Sequence, residues 1–136
     1  MAISTITAEF QCKSDELWEI VTSLEDYAWR SDLSKIVVVT PGKQFEEHTK
    51  DGYVTKFTIT AFEPFERYEF DMENDNITGH WTGIFKQNGS QTEIVFTEDV
   101  TAKKLFMKPF VKSYLKKQQS KYISDLKSAV LSENQK

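Results

Sequence analysis

The sequence contains few of the residues from which metal, disulfide and phosphate sites are built. Its 136 residues include one cysteine, two histidines and two arginines. Cys12 alone cannot form an internal disulfide, and its spacing from His48 and His80 matches no zinc motif, so the histidines are expected at the surface. With only Arg30 and Arg67 available, phosphate recognition is disfavoured. We therefore expect neither a metal nor a nucleotide cofactor.

Long apolar runs and glycine-rich nucleotide motifs are also absent. No run approaches the roughly 18 apolar residues of a membrane-spanning helix, and the first ten residues lack the basic and apolar regions of a signal peptide. There is no P-loop, no G-x-G-x-x-G and no G-x-S-x-G elbow. Together with the single cysteine, these absences predict an unprocessed cytoplasmic protein that does not insert into membranes.

What the chain does contain indicates a single domain, residues 1–136, with a bulky interior. A chain of this length buries roughly two-thirds of its unfolded surface, which is enough for a hydrophobic core. Aromatic residues make up 13% of the sequence, with ten Phe, five Tyr and three Trp. That content fits either a core of large side chains or an aromatic-lined ligand pocket, and composition does not separate the two.

The net charge of −4 is unevenly distributed along the chain. Residues 103–136 contain nine lysines against two acidic residues, a balance of +7, whereas residues 1–102 carry −11. A lysine-rich face can bind nucleic acid or anionic lipid. The simpler interpretation is that the lysines form the solvated face of a helix in residues 103–136, beside the acidic residues 1–102. The apolar side of that helix is needed for the core and is therefore not free to enter a membrane. We expect no nucleic-acid partner.

Residues 103–133 predict a long C-terminal helix. At about 100° per residue, one apolar stripe collects Met107, Val111, Tyr114, Leu115, Tyr122, Leu126 and Ala129. Pro109 lacks an N–H and disfavours the preceding helical turn, so residues 103–108 are expected to form a separate or kinked start. Gln118 is expected at the centre of the stripe, where an amide without a partner is costly.

The rest of the chain predicts strands that cover this helix. Residues 2–11 are rich in β-branched side chains and predict a first strand. Residues 14–24 have helical apolar spacing, and residues 25–34 predict a turn or a second short helix. Five turn sequences then separate six antiparallel strands. The predicted strands are residues 35–40, 43–50, 53–62, 66–73, 77–87 and 91–100.

Period-two alternation assigns the strand side chains to faces. Tyr68 and Phe70 alternate with charged residues, so their side of the strand is predicted to face the helix. By the same rule Trp81 lies on the inner side of the next strand. Phe96 shares its side of the last strand with Glu98. These residues, with Trp29, are the candidates for the wall of a cavity.

The order of strand, two short helices, six-stranded meander and long C-terminal helix resembles the helix-grip fold of the START-like superfamily, also called SRPBCC. The likeness to its polyketide cyclase/dehydrase and lipid-transport group is carried by SDELWEIVTSLEDYAWRSDLSKI at 14–36, GHWTGIF and GSQTEIVFTEDV within 79–100, and PFVKSYLKKQQSKYISDLKSAV at 109–130. The resemblance implies an α+β fold in which a curved antiparallel sheet of about seven strands grips the helix around a hydrophobic cavity. It implies no catalytic residue.

Three sets of inward polar residues are candidates for ligand contacts. Glu98, if buried, would have a raised pKa and could act as an acid, a base or a ligand anchor. The simpler expectation is that the strand ends there and Glu98 joins Asp99 in water. Gln118 either anchors a ligand or satisfies its amide on a strand carbonyl or in solvent. Tyr114 and Tyr122 are expected as core aromatics whose hydroxyls reach the rim.

Three functions follow from these observations. Known members of the similar family bind lipids, hormones, polyketides or other hydrophobic small molecules, so the leading hypothesis is a binder of such a molecule between sheet and helix. A cyclase or dehydratase is the second, and it requires a buried Glu98 paired with a tyrosine. A protein-interaction module, similar to the related chaperone-activating branch, is the third. The ligand is unspecified, and the oligomeric state stays open between monomer and dimer.

Overall fold

The computed structural model describes residues 2–134, which form a seven-stranded antiparallel sheet and two α-helices. The elements are β1 (Ala2–Phe10), α1 (Ser14–Thr22), β2 (Leu33–Thr40), β3 (Gln44–Thr49), β4 (Val54–Glu63), β5 (Arg67–Glu73), β6 (Ile77–Asn88), β7 (Gln91–Ala102) and α2 (Val111–Asn134). The order of strands across the sheet is β1-β7-β6-β5-β4-β3-β2. The α+β helix-grip architecture is therefore confirmed.

The meander from β2 to β7 is confirmed as well. Each strand pairs antiparallel with the next, and β1 returns to pair with β7. Gly52 and Gly89 occupy the predicted Asp-Gly and Asn-Gly turns with φ of 90° and 64°. Glycine adopts this left-handed conformation without a steric penalty. The turns are so short that consecutive strands must be antiparallel neighbours.

Within residues 2–134 no second helix lies between α1 and β2, so of the two alternatives for residues 25–34 the turn is correct and the short helix is wrong. After α1, the Ser23 hydroxyl accepts a hydrogen bond from the backbone N–H of Asp26 at 3.0 Å, and such local bonds compete with helical hydrogen bonding. Ser31 donates to the Asp125 carboxylate of α2 from its backbone N–H and its hydroxyl, at 2.9 and 2.8 Å. Residues 23–32 are therefore an irregular segment that is tied to α2.

The predicted interruption before α2 is confirmed. Residues Leu105–Phe110 form a separate 3-10 helix that contains Pro109. In it, Leu105, Phe106 and Phe110 are exposed to solvent. No helix between residues 2 and 134 combines the length and apolar character needed to cross a membrane.

The buried stripe of α2 is rotated from its predicted position. Its buried members are Val111, Leu115, Gln119, Ile123, Leu126 and Val130. Gln118 is exposed, so the expectation that it lies at the centre of the stripe is wrong. Tyr114 is 56% exposed, because its polar hydroxyl lets a tyrosine lie at the edge of an apolar surface. The amide at the centre of the stripe belongs to Gln119.

Small side chains on β1 bring α2 close to the sheet. Ala2, Ser4 and Ala8 share the inner side of β1 with Ile6 and Phe10, and most of the close backbone approaches between α2 and the sheet are to this strand. Ser4 Oγ donates to Gln119 Oε1 at 2.7 Å, and Gln119 Nε2 donates to the Ser4 carbonyl at 2.9 Å. Both polar side chains are thereby satisfied although they are buried. This contact between α2 and β1, centred on Ser4 and Gln119, is named the seam below.

Candidate functional site

A continuous set of aromatic rings crosses the inner side of the sheet and reaches α2. Phe70 on β5 stacks on Trp81 of β6 with centroids 4.8 Å apart, and Trp81 lies 4.7 Å from Phe96 on β7. Phe96 contacts Tyr122 of α2 at 5.9 Å, and Tyr122 contacts Trp29 at 5.3 Å. We name this set the aromatic wall. Its members are Trp29, Tyr68, Phe70, Trp81, Phe96 and Tyr122.

Beside the aromatic wall, Arg30 is held by two carboxylates. Its guanidinium donates to Asp32 from Nε and Nη2 at 3.1 Å each, and to Glu47 from Nη1 and Nη2 at 3.3 Å each. It also lies 4.9 Å from the centre of the Tyr122 ring, a cation–π geometry. Burial opposes the charge of Arg30, but Glu47, Tyr122 and Asp32 raise its pKa above the usual value. Arg30 is therefore a permanent cation with its partners already supplied.

Glu98 faces the interior from β7. Its register partners are Trp81 on β6 and Ser4 on β1, and both are buried. The strand continues past it to Ala102. The expectation that the strand ends at Glu98, and that this residue joins Asp99 in water, is therefore wrong. The alternative, that the alternation of side chains along β7 places Glu98 on the inner side of the sheet, is correct.

The environment of Glu98 favours its neutral form. Burial and the nearby charge of Glu47 raise the pKa of Glu98 to about 7, while Arg30 opposes the rise. Near neutral pH the carboxyl is thus present in both protonation states, able to donate a hydrogen bond in one and to accept in the other.

Several interior oxygens lack a hydrogen-bond partner among residues 2–134. They belong to the Glu98 carboxyl and the hydroxyls of Tyr68 and Tyr122. In the same part of the chain, only Trp29 Nε1 is both fully buried and unpartnered, so the other oxygens border space that water can enter. Burial raises the pKa of both tyrosines, which therefore stay protonated. The aromatic wall thus carries polar groups that a bound molecule could satisfy.

Tyr114 lies at the rim of this region, and Gln118 lies beside it on the solvent side. Gln118 Nε2 donates to Tyr114 Oη at 2.8 Å, and both side chains are exposed. Partial burial, with the charges of Glu98 and Asp32, raises the pKa of Tyr114. Gln118 supports Tyr114 from one turn further along α2.

The predicted ligand-contact residues are thus distributed in three places. The six members of the aromatic wall and Glu98 meet in the interior, Tyr114 lies at the rim, and Gln118 lies outside it. That any of them contacts a ligand stays a prediction. Sequence reasoning did not single out Arg30, Glu47 or Gln119. Glu47 has the same strand parity as the buried Phe45, and this signal could have identified it.

The histidines lie on the outer side of the sheet, as expected. His80 contacts Asp71 from Nδ1 and Glu69 from Nε2, both at 2.7 Å, and these carboxylates raise its pKa although burial opposes the rise. His48 lies 3.3 Å from Glu46. No cluster of His, Cys, Asp and Glu within residues 2–134 has the geometry of a metal site.

Two open depressions lie apart from the aromatic wall. One, of about 690 Å³, is on the outer side of the sheet and includes Asp71, Glu73 and Asp99 in its lining. The other, of about 740 Å³, lies among the turns near Tyr53 and Asn76. No residue of the aromatic wall lines either depression, and neither does Glu98.

Comparison with known proteins places the chain among proteins of one family. The family model described as polyketide cyclase/dehydrase and lipid transport matches residues 1–130. No curated protein matches the chain.

Solved structures with low sequence identity share the fold. A START superfamily protein from Mycobacterium smegmatis has a TM-score of 0.88 and 13% identity, over 97% of this chain and 99% of that one. A conserved protein from Geobacillus kaustophilus has a TM-score of 0.82 and 9% identity, over 96% and 95% of the two chains. DynU16, a protein in the dynemicin biosynthetic locus, has a TM-score of 0.74 and 14% identity, over 94% of this chain and 46% of that one.

Proposed function

Because the chain belongs to the polyketide cyclase/dehydrase and lipid transport family, we propose that it binds a small amphipathic molecule between the sheet and α2. The apolar part of the ligand would lie against the aromatic wall, and its polar end would approach Glu98. Such a division between an apolar lining and a few oriented polar groups is typical of small-molecule sites.

The observation that carries this proposal is the set of unpartnered oxygens on Glu98, Tyr68 and Tyr122. These oxygens border space that water can enter, so a ligand that displaces this water must hydrogen-bond them or leave them unsatisfied at a cost of about 1 to 3 kcal/mol each. A core that served stability alone would satisfy these oxygens or replace them with apolar atoms. Their retention beside water-accessible space is consistent with a ligand that completes the hydrogen bonding.

The test is to look for a retained molecule and then to locate it. Protein purified from its own host is examined by native mass spectrometry, in which a bound molecule appears as a mass shift that is lost on denaturation. A thermal-shift screen of fatty acids, flavonoids and sterols then supplies defined ligands. If no molecule is retained and no compound of the screen raises Tm, the proposal is contradicted.

Matched tyrosine variants locate the bound molecule. Tyr68→Phe and Tyr122→Phe each remove one interior hydroxyl and keep the ring. Tyr27→Phe makes the same change on the irregular segment outside the aromatic wall. We expect the first two variants to change the ranking of polar ligands and the third to leave it intact. Equal effects in all three would place the ligand elsewhere.

An enzyme of cyclase or dehydratase type is a second candidate, and the pKa of Glu98 near 7 favours it. General acid–base catalysis is most efficient when the pKa of the group lies near the working pH. In this role Glu98 would remove a proton from the carbon next to a carbonyl and return it to a leaving hydroxyl. The Tyr68 or Tyr122 hydroxyl would donate to the carbonyl oxygen.

This second function is tested without knowledge of the natural substrate. A β-hydroxy ketone of the size of the best binder is incubated with the protein in D2O, and deuterium uptake at its α-carbon is followed by NMR. Catalysis by Glu98 predicts uptake that Glu98→Gln abolishes while binding persists. If the wild type binds the ketone and no deuterium appears at its α-carbon, the result supports the binding function and contradicts the catalytic one.

A further inference from the structure

The charges around Glu98 leave no cation for an acidic ligand. Arg30 is the positive group among them, and it already pairs with Asp32 and Glu47 through four hydrogen bonds. With Glu98 ionised, these groups comprise three carboxylates, on Glu98, Glu47 and Asp32, and one guanidinium. The region is therefore electronegative, and a ligand carboxylate entering it would meet like charges without a partner.

The charged groups that act on Glu98 are Glu47 on β3 and Arg30 in the segment before β2, and Glu98 acts in turn on Tyr114 of α2. Asp32 belongs to the same cluster through its hydrogen bonds with Arg30. From β1 and β6 the register neighbours are Ser4 and Trp81, which do not titrate. The ring of Tyr68 contacts Trp81 and the ring of Tyr122 contacts Phe96, and both tyrosine hydroxyls can accept as well as donate.

On the basis of the proposed binding role, we infer that this interior site selects ligands whose polar end is a protonated amine and rejects ligands that end in a carboxylate. An ammonium group has three donors and no acceptor. It matches the Glu98 carboxylate and the Tyr68 and Tyr122 hydroxyls, and the rings of the aromatic wall favour a cation near their faces. A neutral hydroxyl can use the same oxygens without the charge attraction and ranks between the two.

Selection for a cation makes binding depend on pH in a defined direction. An ammonium ligand binds the ionised form of Glu98, whose pKa lies near 7 in the free protein. Lowering the pH from about 8 to about 6 protonates Glu98 first, so amine affinity falls by about tenfold. A carboxylate ligand is affected in the opposite direction, and a neutral ligand is affected least.

The test uses three probes with one ring system: naphthylmethylamine, naphthol and naphthoate. Their dissociation constants for the full chain are measured by calorimetry at the two pH values. We expect the amine to bind at least tenfold more tightly than naphthoate at the higher pH, with naphthol between them. Glu98→Gln should weaken amine binding by about tenfold at that pH, remove its pH dependence and leave naphthol within about threefold.

Asp99→Asn is the matched control. It removes the same charge one residue along β7, from the opposite side of the sheet, where Asp99 lines the outer depression. Amine binding that persists in Asp99→Asn and is lost in Glu98→Gln supports the interior site. Equal losses in both variants, or naphthoate binding as tightly as the amine, would overturn the inference while leaving the binding function intact. If none of the probes binds while a compound of the thermal-shift screen does, the inference fails and the binding function stands.

Discussion

Two interior regions of this protein differ in whether an inward polar side chain has a hydrogen-bond partner. At the seam, Gln119 and Ser4 satisfy each other through hydrogen bonds of 2.7 and 2.9 Å. One strand away Glu98, the register partner of Ser4 on β7, has no hydrogen-bond partner among residues 2–134. The seam therefore has the properties of a structural contact. The side with Glu98 leaves a polar group without a protein partner, as the proposed ligand site requires.

The largest effect expected within this comparison is that of Trp81→Ala on the site side. Trp81 is 8% exposed, stacks on Phe70 and contacts Phe96, so its removal should lower the free energy of unfolding by about 3 to 5 kcal/mol. Urea unfolding measures this, with the exposed Tyr53→Ala as a control expected below about 1 kcal/mol. A similarly small loss for Trp81→Ala would mean that the aromatic wall is not part of the core.

Glu98→Gln should stabilise the protein in a pH-dependent way. The folded pKa of about 7 lies above the unfolded value of 4.5, so the folded state holds the proton more tightly and wild-type stability falls as pH rises between these values. The loss is about 3 kcal/mol above pH 7. Unfolding curves of variant and wild type should coincide near pH 4 and differ in favour of the variant near pH 8. A difference in unfolding free energy that stays constant across this pH range would contradict a raised pKa for Glu98.

Ser4→Ala or Gln119→Leu should destabilise the seam by about 1 to 3 kcal/mol each, because each leaves a buried partner unsatisfied. The double variant should cost less than the sum, since it removes both polar side chains. Urea unfolding of the wild type, the two single variants and the double variant measures the coupling free energy between the two residues. This double-mutant cycle reports the side-chain hydrogen bond from Ser4 Oγ to Gln119 Oε1, because the bond to the Ser4 backbone carbonyl persists in Ser4→Ala. Additive losses would show that this bond does not couple the two residues, and the contrast with Glu98 would lose its basis.

The smallest effect is expected outside both regions, on the lysine-rich face of α2. Lys112, Lys116 and Lys121 are exposed, and isolated surface charges contribute less than about 1 kcal/mol each. Their joint replacement by Gln should leave the unfolding curve nearly unchanged. Wild-type binding to anionic vesicles or oligonucleotides that is salt-sensitive and disappears in the triple variant would give this face a function.

The sheet could be predicted from the sequence because its signals are local. Turn residues such as Gly52 and Gly89 end one strand and begin the next, and alternation assigns Tyr68 and Trp81 to the inner side without knowledge of the partner strand. These rules also indicated inward parity for Glu98. They could not indicate how far β7 continues, because the end of a strand depends on pairing with β1 and β6.

The site was harder to predict because it depends on contacts between distant segments. Emphasis on Tyr114 rotated the helix stripe toward Gln118, whereas Ile123 and Val130 would have moved its centre to Gln119. Arg30 lies in an irregular segment without a period, and only tertiary structure brings it to Glu47. Local patterns carry no information of that kind.

The pairing of the first strand with the last has a consequence for how the chain folds. Thr5 and Thr97 contact each other through their hydroxyls across 92 residues of sequence. Contacts between such distant residues require the closure of a long loop and slow the formation of the native state. β1 cannot take its place until β7 has been synthesised, and α2 cannot complete the seam until β1 is there. Within this domain, the strand that is synthesised before all the others is therefore among the last to become ordered.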